Sequence, residues 1–210
     1  MHLDPAAFNA MLNDLGQTVD WRRAFACPCR NPHSGGASPS CPHCHGLGTY
    51  WGDPVACRVA LSGQQAQREW AQFGQWESGD LVVTLPADSA AYALGPLDRL
   101  TLRDSSIAFT VIVRPGEPLR GSVLTISSVT WLVADALISA PALPLVGVDG
   151  HLIWPADADA PADTTMLAVS GRKHPEYYVF PTHPQDRAHQ GGAPLPRRVV
   201  LRLFDLFGRD

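Results

Sequence analysis

Four cysteines fall between positions 27 and 44 as Cys27-Pro28-Cys29 and Cys41-Pro42-His43-Cys44, separated by a loop of Gly, Ser, Pro and other polar residues with almost no apolar side chain. Such a stretch cannot build a core of its own, so something other than burial has to close it. The opening Met1-His2-Leu3-Asp4-Pro5 lacks the basic-then-apolar order of an export signal. The expectation is therefore a reducing compartment, where clustered thiols serve as metal ligands rather than disulfides. Two cysteine pairs can close around one tetrahedral Zn²⁺ with thiolate bonds of about 2.3 Å. Prolines beside the ligands stiffen the turns. Gly46 and Gly48 can take positive φ, which lets backbone N–H groups approach the sulfurs.

The expected ligands are Cys27, Cys29, Cys41 and Cys44. The first pair has one intervening residue rather than the commoner two, so His33, His43 or His45 can be considered in place of one thiolate. His43 lies inside a tight knuckle that would aim it away from the metal, which leaves His33 as the better substitute. Cys57 stands apart and is read as a small buried hydrophobe. A four-thiolate site has no open position for water or substrate, so the zinc is expected to be structural. The zinc-deaminase pattern is absent, because no His-x-Glu precedes the cysteines, His174-Pro175-Glu176 falling far after them, and Ser40 replaces the proline before Cys41. The second half is similar to a repeat unit of the J-domain chaperones' zinc region. Those proteins carry four such units and this chain has one, so no chaperone role follows.

Eighteen glycines and nineteen prolines in 210 residues favour turns and short strands over a helical bundle. The expected class is mainly β (α+β): an N-terminal helix and zinc knuckle, then small β-barrel or sandwich lobes, then an extended C-terminal arm. Asp4 as cap, Pro5 at the first turn, and Phe8, Met11, Leu12 and Leu15 at helical spacing predict the helix, with Gly16 as its stop. Its stripe needs a docking surface, here or on a neighbouring copy. Alternation predicts strands at 100–102 and 107–113, with others at 81–85, 122–133, 165–170 and 176–180. Asp149-Gly150 predicts a hairpin. Residues 64–73 read equally as helix or irregular strand. The expected segments are 1–60 (helix and knuckle), 61–140 (barrel-like), 141–181 (hairpin lobe) and 182–210, an arm ending in the apolar strand Val199–Phe204 that docks on this or another subunit.

Net charge is −4, without the basic excess of a typical nucleic-acid binder. Residues 1–60 carry four bases and four acids, 61–170 five and twelve, and 171–210 seven and four, or 0, −7 and +3. An acidic middle and a basic tail can attract each other within or between copies. Arg22, Arg23 and Arg30 beside the knuckle offer a contact for nucleic acid. His174, His183 and His189, with Glu176 and Asp186, lack helical ligand spacing. No nucleophile elbow, phosphate loop or dinucleotide fingerprint occurs, so no enzyme is expected. No stretch approaches the ~20 apolar residues of a membrane span.

As a set, Cys27 to Gly35 with Cys41 to Gly48, Pro175-Glu176-Tyr177-Tyr178-Val179-Phe180, and Leu195 to Arg202 are distinctive. With Trp70 to Leu85, they make a chain that resembles a group of tailed-bacteriophage virion structural proteins along most of its length. The resemblance implies a virion component assembled in the host cytoplasm, of the neck, head–tail connector or collar type. It would form a homo-oligomeric ring against portal, connector or tail proteins, with contact to packaged DNA and none to membrane. A baseplate or tail-tip subunit is the alternative within that class, and a zinc-dependent nucleic-acid binder the alternative outside it.

Overall fold

The computed structural model describes residues 4–62, 71–72, 77–156, 161–180, 189–190 and 192–207. The segment read as helix or strand at 64–73 lies almost wholly outside these residues, as do Trp70, Trp76, His183 and Asp186.

The chain is mainly β. Helix α1 (Pro5–Leu15) leads into β1 (Gln17–Arg22), β2 (Ala24–Ala26), β3 (Thr49–Trp51), β4 (Val55–Leu61), β5 (Leu81–Leu85) and β6 (Arg99–Leu102). Next come β7 (Ile107–Val113), β8 (Val123–Val133), β9 (Ala136–Ser139), β10 (Leu145–Val146), β11 (Leu152–Ile153) and β12 (Leu167–Lys173). The last are β13 (Glu176–Val179), β14 (His189–Gln190), β15 (Ala193–Pro194) and β16 (Arg197–Leu203). The expected strands and the hairpin around Asp149-Gly150 are all present, Gly150 taking φ +84° in the turn.

Six strands close a barrel in the order β1-β4-β5-β16-β13-β6, antiparallel at every pairing. Its interior is filled with inward side chains, Val19, Val59, Val83, Leu85, Leu100 and Leu201 all fully buried. A barrel of so few strands has no room for a lumen. Ala91 and Leu94, from a 3₁₀ turn at Ala90–Ala93 and just after it, join this core.

Asp4 caps α1 through its Oδ1, which accepts from Ala6 N at 3.0 Å. Gly16 does not end the helix by a left-handed turn, since its φ is −73°. It is needed for closeness: a Cβ there would lie 2.8 Å from Leu12 O and 3.1 Å from Val59 O. Of the helix stripe only Leu12 is buried, while Phe8, Met11 and Leu15 stay exposed. Polar contacts anchor the helix instead, Asn9 Oδ1 accepting from Ala87 N at 3.0 Å and Asn13 Nδ2 donating to Asp88.

The domain division differs from the expected sequence of four consecutive segments. One compact unit is residues 1–104 with 176–210, and the other is 105–175. The cause is pairing: β6 and β13 are neighbours in the barrel, Thr101 opposite Glu176, so the second unit is inserted between two adjoining strands. It contains the antiparallel sheet β7-β12-β8-β9 and the hairpin β10-β11. Its core is Val113, Leu119, Val129, Leu167 and Val169.

The C-terminal arm is the second correction. Arg197–Leu203 is a barrel strand between β5 and β13, so the apolar run is buried by its own chain. Arg202 reaches back from it to the buried Asp80, Nε to Oδ1 and an Nη to Oδ2, both 3.1 Å. The guanidinium also lies 3.8 Å from the centre of the Phe180 ring.

Candidate metal centre

The cysteine loop is carried on a hairpin. β2 and β3 pair antiparallel, with Ala24 opposite Trp51, Phe25 opposite Tyr50 and Ala26 opposite Thr49. The ladder continues one step further, Cys27 N donating to Gly48 O at 2.9 Å. Cys27 therefore leaves one strand as Gly48 enters the other, and the sulfurs hang on a rigid base.

Both strands of this base are fastened to one turn of the barrel unit. Asp98, 2% exposed, accepts from Ala24 N at 2.7 Å, Trp21 Nε1 at 2.8 Å and Gly95 N at 2.8 Å. Trp51 Nε1 donates to Leu97 O at 2.9 Å, and Leu97 holds φ at +66°. A buried carboxylate with three donors is satisfied without a counter-cation. The far side of Trp51 packs edge-on against Phe204 and Phe207, at 5.1 and 5.5 Å. The C-terminal residues thus brace the hairpin. Arg99, paired with Glu176, lies over the Phe204 ring at 4.1 Å.

All four predicted ligands come together. Cys27 Sγ and Cys41 Sγ are 3.7 Å apart, Cys29 Sγ and Cys44 Sγ 3.4 Å, and all four sulfurs lie within 4.8 Å of one another. A regular tetrahedron with metal–sulfur bonds of about 2.3 Å has edges of about 3.8 Å. The spacing of the sulfurs is close to those edges, which makes the cluster compatible with a tetrahedral ion. Cys27, Cys41 and Cys44 are buried and Cys29 half-buried.

The loop backbone is arranged around the sulfurs. The N–H groups of Cys44 and His43 donate to Cys41 and lower its thiol to about 6. At Cys44, burial raises the pKa, but the Cys29 thiol and the N–H groups of Gly48 and Gly46 outweigh it and the net direction is down. Gly46 and Gly48 hold φ at +85° and +70° to aim those donors. A Cβ on Gly48 would lie 2.9 Å from Arg30 Nε. At Cys29 the Ser38 N–H lowers the pKa, yet burial and the neighbouring thiols together push it up to about 12. Without an ion the protons are shared unevenly, whereas a divalent cation would hold all four sulfurs as thiolates.

His33, the considered substitute, is exposed in a turn whose backbone donates to Asn31 Oδ1, and it stands outside the cluster. His43 and His45 are also exposed. Cys57 is half-buried against the barrel core. Desolvation, with the Asp20 charge adding to it, raises its thiol to about 11. His174 and Glu176 do not form a second site: His174 Nδ1 lies 2.9 Å from Ser105 O, and Glu176 pairs with Arg99. Among the described residues the four cysteines are the one group arranged to hold a metal. No described helix is long and apolar enough to cross a membrane.

Asp98, Trp51 and the Phe204–Phe207 brace carry no sequence motif. The usable signal is chemical, since a buried tryptophan N–H must find an acceptor. The chain matches no protein-family profile and no curated protein sequence.

Proposed function

We propose that this chain is a non-enzymatic structural component of a tailed-phage virion. It is a neck, head–tail connector or collar subunit that forms a ring with copies of itself and meets portal, connector or tail proteins. Cys27, Cys29, Cys41 and Cys44 hold a structural Zn²⁺ that keeps an otherwise coreless loop rigid. The observation that carries the structural role is the gathering of four cysteine sulfurs within 4.8 Å of one another, which as thiolates would fill an ion's four positions and leave none for substrate. The virion assignment is supported by the motif set that spans the knuckle, Pro175–Phe180 and Leu195–Arg202. A baseplate or tail-tip position is the neighbouring reading.

Locating the chain in an imaged phage particle tests this. Density for a ring of copies between head and tail is the expected result, and absence from purified particles overturns it.

One observation favours a second reading, contact with nucleic acid. Phe25 and Tyr50 are both exposed and stack at 5.4 Å on the zinc hairpin, with exposed Arg23 and Arg30 close by in the chain. Exposed rings flanked by arginines suit base stacking. Binding of an oligonucleotide that weakens steeply with salt and is lost in Phe25→Ala favours this reading; no binding at low salt removes it.

A further inference from the structure

Among the described residues the sheet of the inserted unit has two open edges. Its outer strands are β7 and β9, and among the described residues no strand pairs with their outer edges. Open edges are normally blunted with lysine, proline or a covering segment. Neither Ile107–Val113 nor Ala136–Ser139 contains a charge or a proline. All four residues of β9 are exposed. The hairpin register fixes which peptide groups are on offer. Ala140 N donates to Val129 O at 2.9 Å, so Leu137 and Ser139 turn their N–H and C=O outward.

The two edges also match in chemistry. Ile112 is 64% exposed on β7 and Leu137 is 68% exposed on β9. Ile112 lies opposite Ala168, Ala168 opposite Thr130, and Thr130 opposite Ser139, two residues from Leu137. Both side chains therefore stand on one face of the sheet, the face opposite the core residues Val113, Val129 and Val169.

Strand direction selects the partner. Every neighbouring pair in this sheet is antiparallel and the strands number four, so β9 runs opposite to β7. A second copy in the same orientation presents its β7 antiparallel to β9 without being turned over. We infer that copies of this chain join head to tail through β9 of one and β7 of the next, which continues the sheet and brings Leu137 beside Ile112 of the following copy. Two-fold pairing of β9 with itself would leave β7 uncovered, whereas head-to-tail addition uses both edges and repeats. This deepens the assembly proposed above and rests on it only for closure into a ring.

The test uses the full-length chain in sedimentation. Wild type is expected as a multimer. Leu137→Lys and Ile112→Lys, both at exposed positions, are each expected to sediment as monomer while keeping a cooperative melt. Mixed in equal amounts they should form a 1:1 heterodimer, because each variant keeps one intact edge. A monomeric wild type, a multimer that survives either substitution, or an equal mixture that stays monomeric overturns the inference. Assembly through these edges by a chain absent from particles removes the virion role alone. Incorporation of both variants into particles at the wild-type level removes the edge pairing alone.

Discussion

Asp98 shows how much of the metal loop's position rests on one side chain outside it. Its carboxylate gathers the start of β2, the indole of Trp21 and the turn at Gly95, and the carbonyl of the adjacent Leu97 takes the indole of Trp51. Asp98→Ala leaves three donors unpaired in a buried site, which is expected to cost about 3 kcal/mol in chemical denaturation. Hydrogen exchange should quicken at 24–26 and 49–51, while a bound metal is retained because the ligands are untouched. Exchange unchanged in these strands would show that Asp98 does not anchor the hairpin. Nothing in the turn Gly95-Pro96-Leu97-Asp98 marks this role in the sequence, since an acid in a turn is commonplace. The ligands, by contrast, were legible, because thiols in a coreless loop have few other uses.

At the scale of elements, local patterns announced themselves and long-range partnerships did not. α1 and the alternating strands follow from spacing and capping, and the Asp149-Gly150 turn from its residues. The fate of the last strand did not. An apolar run after a Pro- and Gly-rich spacer looks the same whether it closes its own barrel or a neighbour's, and only pairing with β5 and β13 decides. Deleting 197–207 therefore opens the barrel and strips Trp51 of Phe204 and Phe207. The truncated protein is expected to lose cooperative thermal unfolding and to bind a dye for exposed apolar surface. A sharp melt like that of the intact chain would contradict the placement of β16.

At the scale of the whole molecule, the chain is a barrel unit interrupted by a second unit between two adjoining strands. Thr101 and Glu176 are partners on neighbouring strands of the barrel wall, so a short turn can replace what lies between Asp104 and Glu176. A chain with residues 105–175 replaced by a few Gly and Asn residues is expected to keep the barrel's cooperative melt and its metal stoichiometry. Loss of both would mean that the barrel unit depends on the insertion. The sequence concealed this division because the two units share strand-like composition and the boundary falls between consecutive strands. The central claim is that four sulfurs close around one structural ion, and X-ray absorption at the zinc edge of the purified protein tests it most directly. The expected spectrum shows four sulfur neighbours at about 2.3 Å and no lighter atom, with one zinc per chain in wild type and none in Cys41→Ser/Cys44→Ser. A protein that folds and purifies without metal, or a shell containing nitrogen or oxygen, would contradict it.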